Sequence, residues 1–225
     1  MPFFDVIKWI LWKDMLSEIR SRESISSLFF FALNVILIFS FSFSVGQDVM
    51  LALMPGLIWV AFGFTSILGL GKSFLSEVHN DCIAYLQIAP VPKGAIYLGK
   101  LAGNILLMMV VEIILYPLFM IFFNMDILAK IPSLLIISFL ATVGLSALGT
   151  LFSILTVQLR AREVMFPLLL LPLSVPVFIG AVEATQGALS GDPYSSYRHW
   201  IELLFIFDMI ITIVSFWMFE YILDY

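Results

Sequence analysis

The sequence predicts an all-α membrane protein with six transmembrane helices, and three observations predict it. Of 225 residues, 62% are apolar and only 12% carry charge, 11 basic and 16 acidic. Soluble domains run at about 45–50% apolar and about 25% charged, so one aqueous core could not bury this excess. Six apolar runs are each close to the ~20 residues needed to cross ~30 Å of hydrocarbon at ~1.5 Å per residue. The basic residues also divide unevenly between alternate breaks in those runs.

The predicted spans are Ser24–Ser44, Val49–Leu70, Ile96–Phe123, Pro132–Val157, Val164–Val182 and Trp200–Ile222. Without water to satisfy the backbone, runs of this length must be helices. Polar or turn-forming breaks separate them, at 46–48, 71–94, 124–130, 158–163 and a Gly/Ser/Asp/Pro-rich turn from Gly187 to Pro193. Placing the amino terminus in the cytoplasm puts Lys8, Lys13, Arg20, Arg22, Lys72, Lys93, Lys100, Arg160 and Arg162 inside, leaving Lys130 and Arg198 outside. That asymmetry sets both termini inside. More than twenty residues precede the first span and its apolar core is long, so it reads as retained rather than as a cleaved signal.

Two segments read as lying on the membrane. Residues 1–23 hold an interfacial helix, Phe4 to Ile19, in which Phe4, Ile7, Leu11, Met15 and Ile19 recur at helical spacing. Lys13, Ser17 and Arg20 cluster opposite, and Trp9 and Trp12 suit the headgroup level. Residues 73–89 form a short helix with Phe74, Leu75, Val78, Cys82, Tyr85 and Leu86 on one face, ended by Pro90 and Pro92. Its apolar face either folds back on its own spans or docks a cytoplasmic protein.

Composition and motifs exclude several functions. A net charge of −5 with no basic stripe argues against nucleic acid. The single cysteine, Cys82, cannot form an intrachain disulfide, and no paired Cys/His spacing suggests zinc. Gly71-Lys72-Ser73 ends like a nucleotide-binding loop, but the first glycine is replaced by Ser66 and a membrane span precedes it. No G-x-S-x-G or HExxH pattern is present, so the chain reads as non-catalytic and any ATP use belongs to another chain. His79 and His199 fall on opposite sides, about 30 Å apart, so they cannot share a metal; an interfacial role suits His199 better than a ligand role.

Glu112 and Asp208 are charges at bilayer depth, which is expensive. They lie about 16 Å and about 12 Å from the outer ends of their spans. At least one is expected to be protonated or hydrogen-bonded, to Asn34, Tyr116 or a partner subunit, as a tie between helices; a proton-coupling role is the alternative. Small-residue ladders, Ala95/Gly99/Gly103 and Ser138/Thr142/Ser146/Thr150, mark close helix approach, within the chain or between subunits. Pro117 should kink the third span, and Pro167, Pro172 and Pro176 interrupt the fifth.

The strings PGLIWVAFGFTSILGLGKSF (Pro55–Phe74), LQIAPVPKGAIYLGKLAGN (Leu86–Asn104) and VVEIILYPLF (Val110–Phe119) resemble CcmB, the haem exporter protein B family of cytochrome c biogenesis. GLSALGTLFS (Gly144–Ser153), RAREVMFPLLLLPLSVP (Arg160–Pro176), FEYILDY (Phe219–Tyr225) and KDMLSEIRSRES (Lys13–Ser24) extend the likeness over nearly the whole chain. The resemblance implies a single permease domain of the ABC-2 type in the inner membrane, paired as a homodimer. It implies a cytoplasmic ABC ATPase as the consumer of ATP, a haem-handling membrane protein, a small membrane subunit and a periplasmic haem chaperone as partners, and haem as substrate. It places the ATPase-docking surface on the inner helix, at Lys72, Ser73, Phe74, Leu75, Glu77 and Val78. The tryptophan-rich motif of haem-handling partners is absent, since Trp9, Trp12, Trp59, Trp200 and Trp217 are scattered. That leaves His199 as the one weak candidate for haem contact. An ABC-2 exporter of another substrate and a non-conducting scaffold are the competing readings.

Overall fold

The computed structural model describes residues 2–21, 23–42, 47–79, 82–88, 90–124 and 128–224. All regular structure among them is helical. The elements are α1 (Phe3–Ser21), α2 (Glu23–Ser42), α3 (Gln47–Leu70), α4 (Leu75–His79), α5 (Ile83–Ile88), α6 (Lys93–Phe123), α7 (Ile131–Thr156), α8 (Arg162–Ser190) and α9 (Tyr194–Asp224). Six of these, α2, α3 and α6 to α9, are long and apolar enough to cross a membrane. With six crossings, both termini lie at one end of the bundle, here termed the basic end because nine of the eleven basic residues belong to its segments.

The helix α7 is the axis of the bundle, touching α3, α6, α8 and α9. In its most apolar stretch 72% is buried, against 17% for α2 and α9, which lie at the outside of the bundle. Small residues make that position attainable: Gly144, Ser146, Ala147, Gly149 and Thr150 are all buried. A Cβ on Gly149 would stand 2.6 Å from Leu70 Cδ1. In lipid, where apolar burial between helices brings little gain, such backbone proximity and close packing hold helices together. One apolar cluster runs through α2, α3 and α6 to α9, with Trp59, Phe62 and Tyr116 meeting edge to face.

Several local expectations are corrected. The inner segment is not one helix from 73 to 89 but two short ones, with the Cys82 N–H donating to the Glu77 carbonyl between them at 2.7 Å. In a continuous helix Ile83 would lie nine residues on from Phe74, about 180° around the axis at ~100° per residue. Both are buried in the same cluster, with Tyr97 and Phe219, so the chain must break. The fifth span does not stop at Val182: α8 continues to Ser190, capped by Gly191 at φ 81°. Gly187 is not a turn residue there but a contact, its absent Cβ making room for the Tyr197 ring, 2.7 Å from the Tyr197 Cβ. The same helix runs unbroken through Pro167, Pro172 and Pro176. Pro172 and Pro176 are exposed on it, so neither ring intrudes on a neighbouring helix.

The helix α1 lies along the first turns of α6. The Ala95/Gly99/Gly103 ladder is therefore an intrachain seam. A Cβ on Gly99 would come within 2.9 Å of Ile10, while one on Gly103 would sit 3.7 Å from Asp14. The expected stripe is rotated accordingly: Val6 is buried and Ile10 and Asp14 face α6, whereas Phe4, Trp9, Trp12 and Ile19 are exposed. The exposed set is what remains for lipid and headgroups.

Candidate functional site

The densest polar structure sits at the basic end, where α1, the turn 71–74, α4 and α6 meet. Its centre is Lys100, two turns into α6 and only 3% exposed. The ammonium lies 2.7 Å from Glu77 Oε1 and 3.1 Å from Asp14 Oδ2, and donates to the Ser73 carbonyl at 2.9 Å. The Phe74 ring centroid lies 5.0 Å from the same nitrogen, a cation–π distance. Lys13 also pairs with Glu77, and stands 3.0 Å from Asp14. Among the described residues two ammonium groups thus face two carboxylates in one knot.

A second line of bonds continues the knot inward. Asn104 donates to Ser73 Oγ at 2.9 Å and to Thr150 Oγ1 at 2.8 Å, and Thr150 donates to the Ser146 carbonyl at 2.6 Å. The loop is thereby fastened to the central helix α7 as well as to α6. Phe74 is fully buried and lies 6.0 Å from the Phe219 ring, which in turn lies 5.5 Å from Tyr97. Burial alone would push the Glu77 carboxyl up, but Lys100 and Lys13 overrule it and hold the group at about 2. For Lys13 burial would favour the neutral amine; the Asp14 and Glu77 carboxylates outweigh it and move the group upward.

The residues expected to dock a partner separate into two sets. Phe74 and Glu77 point inward and are buried; Lys72 is exposed, and Ser73, Leu75 and Val78 are half-buried. Further along, Tyr85 and Ile88 are exposed. The inward set anchors the loop, and the outward set is what a partner could reach. Lys100, Asp14, Lys13, Asn104 and Thr150 were not singled out from sequence as site residues. A signal existed for Lys100: it stands inside the predicted span 96–123, where a charge calls for a partner.

The intramembrane carboxyls do not form one site. Thr142 donates to Glu112 Oε1 at 2.6 Å, and Tyr116 and Ser138 hydrogen-bond one turn away, so both pairs tie α6 to α7. Asp208 is buried on α9, and among the described residues neither of its oxygens has a hydrogen-bond partner. It fits against Gly144, whose Cβ would lie 2.5 Å from Oδ1. Asn34 joins neither carboxyl: it is exposed and donates to the Phe30 carbonyl of its own helix at 2.7 Å. His199 is exposed, its ring 4.7 Å from that of Trp200. The His79 side chain lies outside the described residues. Among those residues no group of three or more His, Cys, Asp or Glu could hold a metal ion.

Six membrane-length helices around a small-residue axis, with a loop locked to them at the basic end, describe a polytopic membrane protein. Comparison with known families decides which. The CcmB protein family matches residues 5–220. The chain belongs to that family. A relative named heme exporter protein B from Pseudomonas aeruginosa is 31% identical over 193 residues, 86% of each chain. Relatives of the same name from Escherichia coli, 29% identical over 84% of this chain and 87% of theirs, and Rhodobacter capsulatus, 26% identical over 81% and 83%, are also similar. Since the CcmB match spans α1 through α9, the ion-pair knot lies wholly within the shared region.

Proposed function

We propose that the chain is the membrane permease subunit of an ABC transporter that exports or delivers haem during cytochrome c maturation. It sits in the inner membrane with both termini cytoplasmic, as the nine-to-two split of basic residues supports. It has no catalytic role; a separate cytoplasmic ATPase supplies the energy, and a second copy of the chain completes the permease. A haem-handling membrane protein, a small membrane subunit and a periplasmic haem chaperone act on the same haem. The names of its relatives support the substrate.

The observation that carries the coupling role is the burial of Lys100 against Glu77 and Asp14. A loop held only by exposed charges would yield under load, since exposed pairs contribute about 0–1 kcal/mol. Here removing one member of a buried pair costs about 3–5 kcal/mol. A push by the ATPase on Lys72, Leu75 and Val78 is therefore passed to α6 through Lys100 and to α7 through Asn104 and Thr150. The complementation test is direct: a strain lacking the gene should regain c-type cytochromes with this chain and a working ATPase, and not with an ATPase-dead partner. Full c-type cytochrome levels in the deletion strain would sink the haem assignment and favour export of another substrate.

A further inference from the structure

The seam between α3 and α8 is a two-part slot. Near the basic end a cleft of about 400 Å³ is walled by Ile67, Leu75 and Phe166, with Lys72, Arg162 and Glu163 on its rim. Deeper in the membrane lies an apolar groove of about 240 Å³ whose lining includes Gly56, Trp59, Gly63, Phe178 and Val182. Ile67 lines both, so the two adjoin. The helices are antiparallel and in steady register along the slot: Gly71 faces Phe166 at one end, and Gly63 meets the Phe178 ring further in. At the groove's deeper part Gly56 leaves the wall open. A Cβ on Gly56 would meet nothing within 4 Å.

We infer that this slot binds an anionic phospholipid of the leaflet at the basic end, its headgroup on Lys72 and Arg162 and an acyl chain along Gly56–Ile67. Lys72 is exposed, Arg162 half-buried, and neither forms an ion pair among the described residues. With Glu163 on the same rim the balance is one net positive charge, at the depth where headgroup phosphates lie. The apolar part matches a lipid chain in length: the eleven steps from Gly56 to Ile67 rise about 16 Å, near half of a ~30 Å hydrocarbon core. An acidic protein segment would satisfy the rim but would leave the groove below it unfilled, so lipid is the better occupant. Nothing in the haem assignment is needed for this site.

Trp59, in the groove wall, is the reporter. The full chain with Trp9, Trp12, Trp200 and Trp217 changed to Phe is placed in phosphatidylcholine nanodiscs containing either phosphatidylglycerol or phosphatidylcholine with brominated chains. Quenching of Trp59 should favour brominated phosphatidylglycerol about fivefold, the effect of one net basic side chain near the surface. That preference should vanish in Lys72→Gln/Arg162→Gln, and Gly56→Phe should lower quenching by both lipids. Should the four-Phe variant not fold, native mass spectrometry of the otherwise unaltered chain with the same two lipids reads the same preference. Equal occupancy by the two headgroups, or a preference that survives the rim substitutions, overturns the site.

Discussion

Lys100 and Glu77 stand 2.7 Å apart, each only 3% exposed, one on a membrane helix and the other on a loop helix 23 residues earlier. Sharing this contact makes them energetically interdependent. Lys100→Met should lower stability by about 3–5 kcal/mol, because it takes from a buried carboxylate the buried cation that pairs with it. Lys100→Met combined with Glu77→Leu should recover a large part of that loss. Thermal unfolding of the four variants in detergent gives the coupling; single losses that simply add would show that the contact carries no interaction energy.

The knot also sets a pH window. The Glu77 carboxyl is held at about 2, below its ordinary 4.5. A depressed carboxylate contributes stability that is fully present above the unfolded value and is lost as pH falls toward the folded one. The stability difference between the native chain and Glu77→Gln should therefore be level from about pH 5 to 9 and shrink between 4.5 and about 2. The Lys13 amine is raised, so its share is present below 10.5 and is lost only as pH climbs beyond that. Melting temperatures of the two proteins across pH 3–9 test this, and a difference that grows as pH falls would contradict it.

Two glycines of one ladder should answer differently to added bulk. At Gly103 a methyl group would make ordinary contact at 3.7 Å, so Gly103→Ala should be neutral or slightly stabilising. At Gly99 the Ile10 side chain and the Ile7 carbonyl crowd the site at 2.9 and 3.2 Å, so Gly99→Leu should force α1 off α6. Overpacking of this kind costs about 1–3 kcal/mol. Cleavage by an added protease in the α1–α2 region, faster in Gly99→Leu than in Gly103→Ala, is the readout.

Within the membrane, the two carboxyls should also part company. Thr142→Val removes the donor to Glu112 and leaves the carboxyl without it, at about 1–3 kcal/mol. Asp208→Asn breaks no hydrogen bond to a described residue and should change stability by less than about 1 kcal/mol. Unfolding of both variants in mixed micelles separates them. A larger loss at Asp208 than at Thr142 would mean that the Asp208 carboxyl is the true tie.

The six spans were legible because hydropathy acts residue by residue: each run of apolar side chains must leave water whatever its neighbours do. The same holds for the ladder at Ala95, Gly99 and Gly103, since only small side chains allow close approach in lipid. The partner across that ladder was not legible, nor was the pairing of Glu112 with Thr142 rather than Asn34. Both depend on which helix lies beside which.

Composition and order of the residues by themselves determined a six-crossing helical chain, its basic and less basic ends, and its family likeness. Tertiary structure alone decided that the inner loop breaks into α4 and α5, that Phe74 and Glu77 turn inward, and that Lys100 pairs with Glu77 and Asp14. The physical reason is range. Transfer from water to lipid is a property of a segment, whereas an ion pair requires two groups distant in sequence to reach within 3 Å or so, and only the packed helices fix that distance.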